Sequence, residues 1–399
     1  MAVAITGLGL LSAVGIGREA FLAGLLRGPA SFPLRRFDER GLPHPSFLHA
    51  ALLDDFDPAG VLGPKGLRTL SRESKLLLSA ATLACQDAGL DPRAWDRRDV
   101  GVVTATSFAG LEDYTQLFLD GFLTGLDSVN PAQGPQTGFN APASQLSIRV
   151  GAEGPNITLA SGNAGAVDAL LTAAGLIENG SATTVLVGAV ETLPAVAARA
   201  LADGQPSPPP DRPRPFDRER RGPVYGEAAV VFAVEDTAQA SRRGARFCCL
   251  ARGGATAYEP EDGGLAEAAR RALTGALRVV AAAPQDVVAV FAGANGSVAG
   301  DAAEARSLYA VFGERVPVCA VKGATGECLA AGGALQVAAS LLLLERDVIP
   351  PTWGFGMSDP ALPPLRVATK EIVAAKGPVL VHGWDGGCYA ACLVLTPPG

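Results

Sequence analysis

Apolar and polar positions along the chain fall into a repeating pattern. Short stretches that are apolar nearly throughout predict strands buried on both faces: AVAITGLGLL near the start, DVGVVTAT (99–106), SATTVLVGAVE (181–191) and AAVVFAVED (228–236). Between them, apolar residues recur about every 3.6 positions and predict helices over Arg18 to Leu26, Ser71 to Ala88 and Leu111 to Leu123. A Pro- and Arg-rich loop (204–223) interrupts this rhythm, which then resumes with FCCLARGGA (247–255) and a helix over 263–282. DVVAVFAG (286–293), a helix over 301–312, VCAV (318–321) and a helix over 326–345 follow, and VLVHG (379–383) and YAACLVLTP (389–397) close the chain. Strands alternating with helices predict βαβ units and a mostly parallel sheet. The repeated rhythm predicts a duplicated α/β domain.

Composition narrows the class. At 399 residues the chain exceeds one ordinary core, and 48% hydrophobic residues with 48 Gly and 30 Pro describe a folded protein rich in tight turns. No apolar run approaches the roughly 18 residues that span a bilayer, and MAVAITGLGLL carries no basic stretch with a cleavage site, so a cytoplasmic location is expected. The net charge of −7 argues against nucleic acid or an anionic membrane as partner, and weakly against a broad dock for an acidic carrier protein. Seven cysteines (85, 248, 249, 319, 328, 388 and 392) without framework spacing read as reduced thiols, and three histidines (His44, His49, His382) give poor support for a metal site.

The most informative stretch is GPNITLASGNAGAVDALL (154–171), which reads as a strand, a sharp turn and a helix. Such a turn lifts its apex residue towards the partial positive charge of a helix N-terminus, where enzymes often place a nucleophile. The apex here is Asn163, which cannot attack. Asn suits the apex because it tolerates unusual backbone dihedrals and bonds locally.

Six segments in order, ITGLGLLSAVG, GPNITLASGNAG, RPFDRERRGPVYGE, GDAAEARSLYAVFG, VKGATGECLAAGG and WDGGCYA, resemble the β-ketoacyl synthases of the thiolase fold. The resemblance implies two α/β halves, 1–245 and 246–399, in an α-β-α-β-α arrangement of layers. Condensing members use one Cys as acyl acceptor and two His that stabilise the enolate formed on decarboxylation. The matching positions here hold Asn163, Asn295 and Glu327, with Lys322 kept from the last motif. Ser297, Val298 and Ala299 stand in a shortened loop where the family carries hydroxyl residues for the pantetheine arm, and Asp385 stands where a Phe gate is usual.

Within the family, NAGAVDAL (163–170) and SQLSIR (144–149) are similar to the chain-length factors, non-catalytic homologues that pair with an active ketosynthase in type II polyketide systems. Those proteins usually carry Gln at the apex, so Asn163 leaves both aromatic and polyene products open. The subfamily implies a heterodimer with an active ketosynthase and acyl carrier protein docking mainly on that partner. It further implies that Leu111, Tyr114 and Phe118, at i, i+3 and i+7 on one helix face, close the polyketide tunnel; spacing alone favours an ordinary core stripe. No cofactor is implied.

Plainer readings stand beside these. Asn295 and Glu327 fit buried hydrogen-bonding replacements, with Glu327 paired to Lys322. Asn163 fits a structural role or residual decarboxylation. The Arg-rich segment 212–221 fits an ion-paired loop or a carrier dock, Cys328 a buried inert thiol, and His382 a structural histidine. Two other classes remain: an independent acyl-thioester decarboxylase or hydrolase, and a homodimeric acyl-binding protein.

Overall fold

The computed structural model describes residues 3–29, 31–38, 44–261 and 264–398. Its backbone is one twelve-stranded sheet flanked by helices, and eleven of those strands form a continuous path. In chain order these are β1 Val3–Ser12, β2 Val100–Ala105, β3 Asn156–Leu159, β4 Thr184–Glu191, β5 Ala228–Asp236, β6 Cys249–Tyr258, β7 Ala289–Phe291, β8 Pro317–Cys319, β9 Arg366–Val367, β10 Val379–Asp385 and β11 Tyr389–Thr396. Helices of ten residues or more are α1 Arg18–Arg27, α2 Arg72–Ala88, α3 Leu111–Thr124, α4 Ala141–Val150, α5 Gly165–Glu178, α6 Gly264–Val279, α7 Val298–Phe312 and α8 Ala330–Arg346.

The path reads as the same five-strand pattern twice. In the first half the order is β3-β2-β4-β5-β1, in the second β8-β7-β10-β11-β6, with β9 added outside β8. In both, the first two pairings are parallel and the last two antiparallel. The halves join where β1 and β6 pair antiparallel, Val3 opposite Ala251 and Ile5 opposite Cys249. The sheet is therefore mixed, not mostly parallel. The reason is local: β10 and β11 are separated only by Gly386, Gly387 and Cys388, and so short a link allows only an antiparallel hairpin.

Helices α2 and α4 cover the outer face of the first half, and α6 and α7 that of the second; α5 and α8 lie between the halves. The layering is α-β-α-β-α. As their apolar runs require, β1, β2 and β4 are buried at every position. The glycines of β1 permit direct contact with α2: a Cβ at Gly9 would lie 2.0 Å from the Ala80 carbonyl oxygen, and one at Gly7 2.4 Å from that of Ala84. Ser71 caps α2 through its Oγ, which accepts from Ser74 N–H at 3.1 Å.

Three boundaries differ from expectation. Residues 141–150 form α4, a helix absent from the expected elements. The strand expected over 286–293 is paired only at Ala289–Phe291. The helix expected over 326–345 begins at Ala330, after a short turn of helix at Lys322–Thr325. Gly326 (φ +76°) and Leu329 (φ +48°) break the helix, and Glu327 instead pairs with the neighbouring backbone, accepting from Gly226 N–H at 3.0 Å and donating to Val224 at 2.7 Å. The first residue of the helix expected over 263–282 lies outside the described residues; α6 ends at Val279.

Candidate functional site

The three positions of interest converge on the first turn of α8. Gly332 and Gly333 make this possible. A Cβ at Gly332 would meet Glu327 Oε1 at 2.9 Å, and one at Gly333 would meet the Asn163 carbonyl oxygen at 3.4 Å. Glu327 and Asn295 are in direct contact: Asn295 Nδ2 donates to Glu327 Oε2 at 2.7 Å, and Lys322 Nζ donates to the same oxygen at 2.8 Å. Leu329 N–H donates to Glu327 Oε1 at 2.8 Å. Lys322, Glu327 and Asn295 are 1%, 2% and 4% exposed.

Electrostatically this cluster is closed. An enolate or thioester oxygen needs donors aimed at it, and the Lys322 ammonium and Asn295 amide are both committed to an internal carboxylate. The cluster is braced from behind. Asn295 Oδ1 accepts from Ser297 N–H at 3.0 Å, while Asp301 accepts from the backbone N–H groups of Phe216, Asn295 and Gly296 at 2.8–3.1 Å. Burial still pushes Asp301 up to about 7. Glu304 accepts from Gly293 N–H and Trp384 Nε1 and lies 2.6 Å from His382 Nδ1, so His382 is a buried structural histidine as expected. Its Nε2 has no hydrogen-bond partner among the described residues.

At the other side of the first turn of α8, the stretch 156–178 folds as read: β3, a tight turn at 162–164, then α5. The unusual backbone does not fall on Asn163. It falls on Gly162, at φ +56°, and Asn163 has no positive φ. The backbone bond made there is long-range: Asn163 N–H donates to Asp385 Oδ1, 222 positions away, at 3.3 Å. Deeper in the turn, Asp168 accepts from Tyr389 Oη at 2.7 Å; burial raises its pKa above the usual carboxylate range.

The expected tunnel residues stand apart from this cluster, on α3. Nothing on α3 is fully buried. Leu111 is half-buried, while Tyr114 and Phe118 are 56% and 57% exposed, and Phe122, one turn further, is 76% exposed and stacks on Phe118 with ring centroids 6.1 Å apart. A core stripe within this chain does not describe them. Glu191, at the end of β4, holds the entrance to α3: it accepts from the N–H groups of Ser107 and Phe108 at 2.8 Å each, and burial pushes its pKa up to about 8. Sequence reasoning missed Glu191, Asp168 and Phe122; of these only Phe122, at i+4 from Phe118, carried a local signal.

The remaining candidates resolve simply. In the Arg-rich loop, Arg220 pairs with Asp359 at 2.7 Å, Arg214 with Glu219 at 3.3 Å and Arg212 with Asp211 at 3.6 Å. The loop also packs on the segment after Asn295, with Gly222 N–H donating to the Gly296 carbonyl at 2.9 Å. Cys328 is buried, which pushes its thiol well above the ordinary range. All seven cysteines are free. Among the described residues no group of three or more His, Cys, Asp and Glu side chains is arranged to hold a metal, and no helix is long and apolar enough to cross a membrane.

Comparison with known proteins agrees with this architecture. Residues 1–240 match the β-ketoacyl synthase N-terminal domain and residues 248–356 the β-ketoacyl synthase C-terminal domain. The chain belongs to the β-ketoacyl synthase family. It is 34% identical to the tetracenomycin polyketide synthase ketoacyl synthase beta subunit of Streptomyces glaucescens over 90% of each chain. It is also 31% identical to the alpha subunit of the same synthase, over 99% of this chain and 97% of that one. The ishigamide ketosynthase/chain length factor shares the fold, with a TM-score of 0.89 at 23% identity, over 100% of this chain and 99% of that one.

Proposed function

We propose that this chain is a chain-length factor: a ketosynthase-like subunit without condensing activity that pairs with an active ketosynthase in type II polyketide assembly. The observation that carries the reading is the closed Lys322–Glu327–Asn295 cluster. The Lys322 ammonium, the Asn295 amide and the Leu329 N–H, the donors that would face a malonyl or acyl thioester there, each bond to a carboxylate of the chain itself. Asn163 removes the acyl acceptor as well, so the chain holds no growing polyketide covalently.

The exposed aromatic face of α3 supports the pairing. Tyr114, Phe118 and Phe122 present contiguous apolar surface of the kind that obligate subunit interfaces cover. In this reading the partner buries that face, Leu111, Tyr114 and Phe118 close the far end of a tunnel that begins in the partner, and acyl carrier protein docks mainly on the partner. The chain divides into ketosynthase-like halves at about residues 245–246, next to the β1–β6 junction.

Co-expression with the cognate ketosynthase tests the proposal. The expected result is a stable heterodimer that elongates, and an isolated chain that neither takes a radiolabelled acyl group from carrier protein nor decarboxylates malonyl-carrier protein above background. A soluble homodimer that decarboxylates or hydrolyses acyl thioesters alone would overturn the reading in favour of an independent enzyme. A homodimer purified with a bound acyl chain would overturn it in favour of a binding protein.

A further inference from the structure

The turn that carries Asn163 already holds an anion of the chain's own. Asp385, the last residue of β10, directs its carboxylate at the 162–164 turn that leads into α5. Asn163 N–H donates to Oδ1 at 3.3 Å, and Gly387 N–H donates to Oδ2 at 3.2 Å. The approach is close: a Cβ placed on Gly162 would come within 2.1 Å of Asp385 Oδ1, so the carboxylate lies directly over the glycine Cα. Only a residue without a side chain at 162 admits it, and the φ of +56° there suits glycine for the same reason.

The first N–H groups of a helix have no partner within it and attract negative charge. Acyl transfer at such a turn depends on those donors facing the developing oxyanion. Here the donor nearest the apex faces a carboxylate instead. We propose that Asp385 is a built-in plug of the Asn163 turn, a positioning carboxylate that sits on the 162–164 turn leading into α5 and keeps acyl thioesters out whatever residue stands at 163. It parallels Glu327, so the two halves of the degenerate site each contain an internal anion. The inference rests on the non-condensing reading and deepens it by assigning the refusal of acyl groups to a second residue.

The other titratable groups around the turn are Asp168, bonded by Ser161 and by Tyr389 Oη at 2.7 Å, the half-buried Cys388 in the same loop as Asp385, and the Lys322–Glu327 pair across the first turn of α8. Among these groups Asp385 is the one bonded to the Asn163 N–H.

A thiol placed at the apex reports that field. The full chain carrying Asn163→Cys is compared with the double variant Asn163→Cys/Asp385→Asn, an isosteric neutral replacement. Iodoacetamide alkylation is followed from pH 5 to 10 and read by mass spectrometry on the tryptic peptide 150–199, which contains no other cysteine. In that reaction the thiolate displaces iodide, so the rate follows the thiolate fraction. With Asp385 in place, the introduced thiol titrates at or above the ordinary value of about 8.5. With Asn at 385 it titrates about one to three units lower, and reacts roughly tenfold or more faster at pH 7. Asp385→Ser is the second variant, removing the charge with a smaller side chain. A lowered thiol pKa with either neutral residue carries the proposal, and the same pKa in all three proteins overturns it. That failure is distinct from failure of the functional reading, which would show as elongation regained by Asn163→Cys alone in the heterodimer.

Discussion

The Lys322–Glu327–Asn295 cluster and the outer face of α3 are opposite solutions in one chain. In the cluster, polar groups that could serve a substrate are turned inward until each has a partner and almost none meets solvent. On α3, apolar side chains that could serve a core are turned outward and left uncovered. A closed polar site has nothing left to offer a ligand, whereas an open apolar face is incomplete until something covers it. The first describes what the chain has given up, and the second what it still requires.

The sharpest break in this contrast is expected in the closed cluster. Lys322→Met leaves Glu327 buried without its cation, a change that costs about 3–5 kcal/mol in comparable buried pairs. Urea denaturation should show a loss of that size. Lys322→Met/Glu327→Gln should recover part of it, because no charge is left unpaired and the amide oxygen still accepts from one of the two donors, Asn295 or Leu329. If the single variant is as stable as the parent, the pair is not what holds the cluster shut.

The open face should respond in affinity rather than stability. Phe118→Glu is expected to weaken association with the ketosynthase by about 2 kcal/mol or more, roughly 30-fold, as for central aromatic residues of interfaces. The melting temperature of the isolated chain should stay nearly unchanged, since Phe118 is mostly exposed there. A large drop in melting temperature with unaltered pairing would make α3 ordinary core.

A smaller effect is expected at the tunnel end. Overpacking costs roughly 1–3 kcal/mol, which partitions extension against release by a factor of about 5 to 150. Tyr114→Ala, in the heterodimer, should therefore shift products towards longer chains and Leu111→Trp towards shorter ones, as read by product mass spectrometry. Wild-type length from both would remove these residues from the tunnel.

The smallest effect concerns pH. Burial raises Asp168 above its usual range, so the folded state holds that proton more tightly than the unfolded one. Its contribution to stability is full below about pH 4 and is lost as pH rises through the folded value. Asp168→Asn, which still accepts from Tyr389, should flatten that part of the curve of melting temperature against pH. An unchanged curve would place the dependence elsewhere.

What could be read from the residues alone follows physical range. Ala228–Asp236 was legible to its ends because a strand buried on both faces announces itself in its own composition. Lys322 with Glu327 was legible because the partners are five positions apart. The start of α8 was not, since its delay to Ala330 comes from a backbone bridge between Tyr225 and Glu327, about a hundred positions apart in sequence. The same holds for Asn163: its N–H partner lies 222 positions away, and the positive φ sits on the neighbouring glycine. Glu191 is a plain acidic residue after an apolar run, and only the fold brings the Ser107 and Phe108 N–H groups to it.

The place of β1 in the sheet has a consequence during synthesis. Its ten residues, all buried in the finished protein, leave the ribosome early, yet apart from the short local pairing with Gly15–Ile16 their neighbours are Ala228–Asp236 and Cys249–Ala251. At translation rates of roughly 5–20 residues per second, between about 10 and 45 s pass before the first of these appears. For that time most of an apolar strand waits with its edges unpaired, open to joining the same segment of another nascent copy. Shielding that one short stretch until the middle of the message has been read is therefore expected to raise the yield of folded subunit.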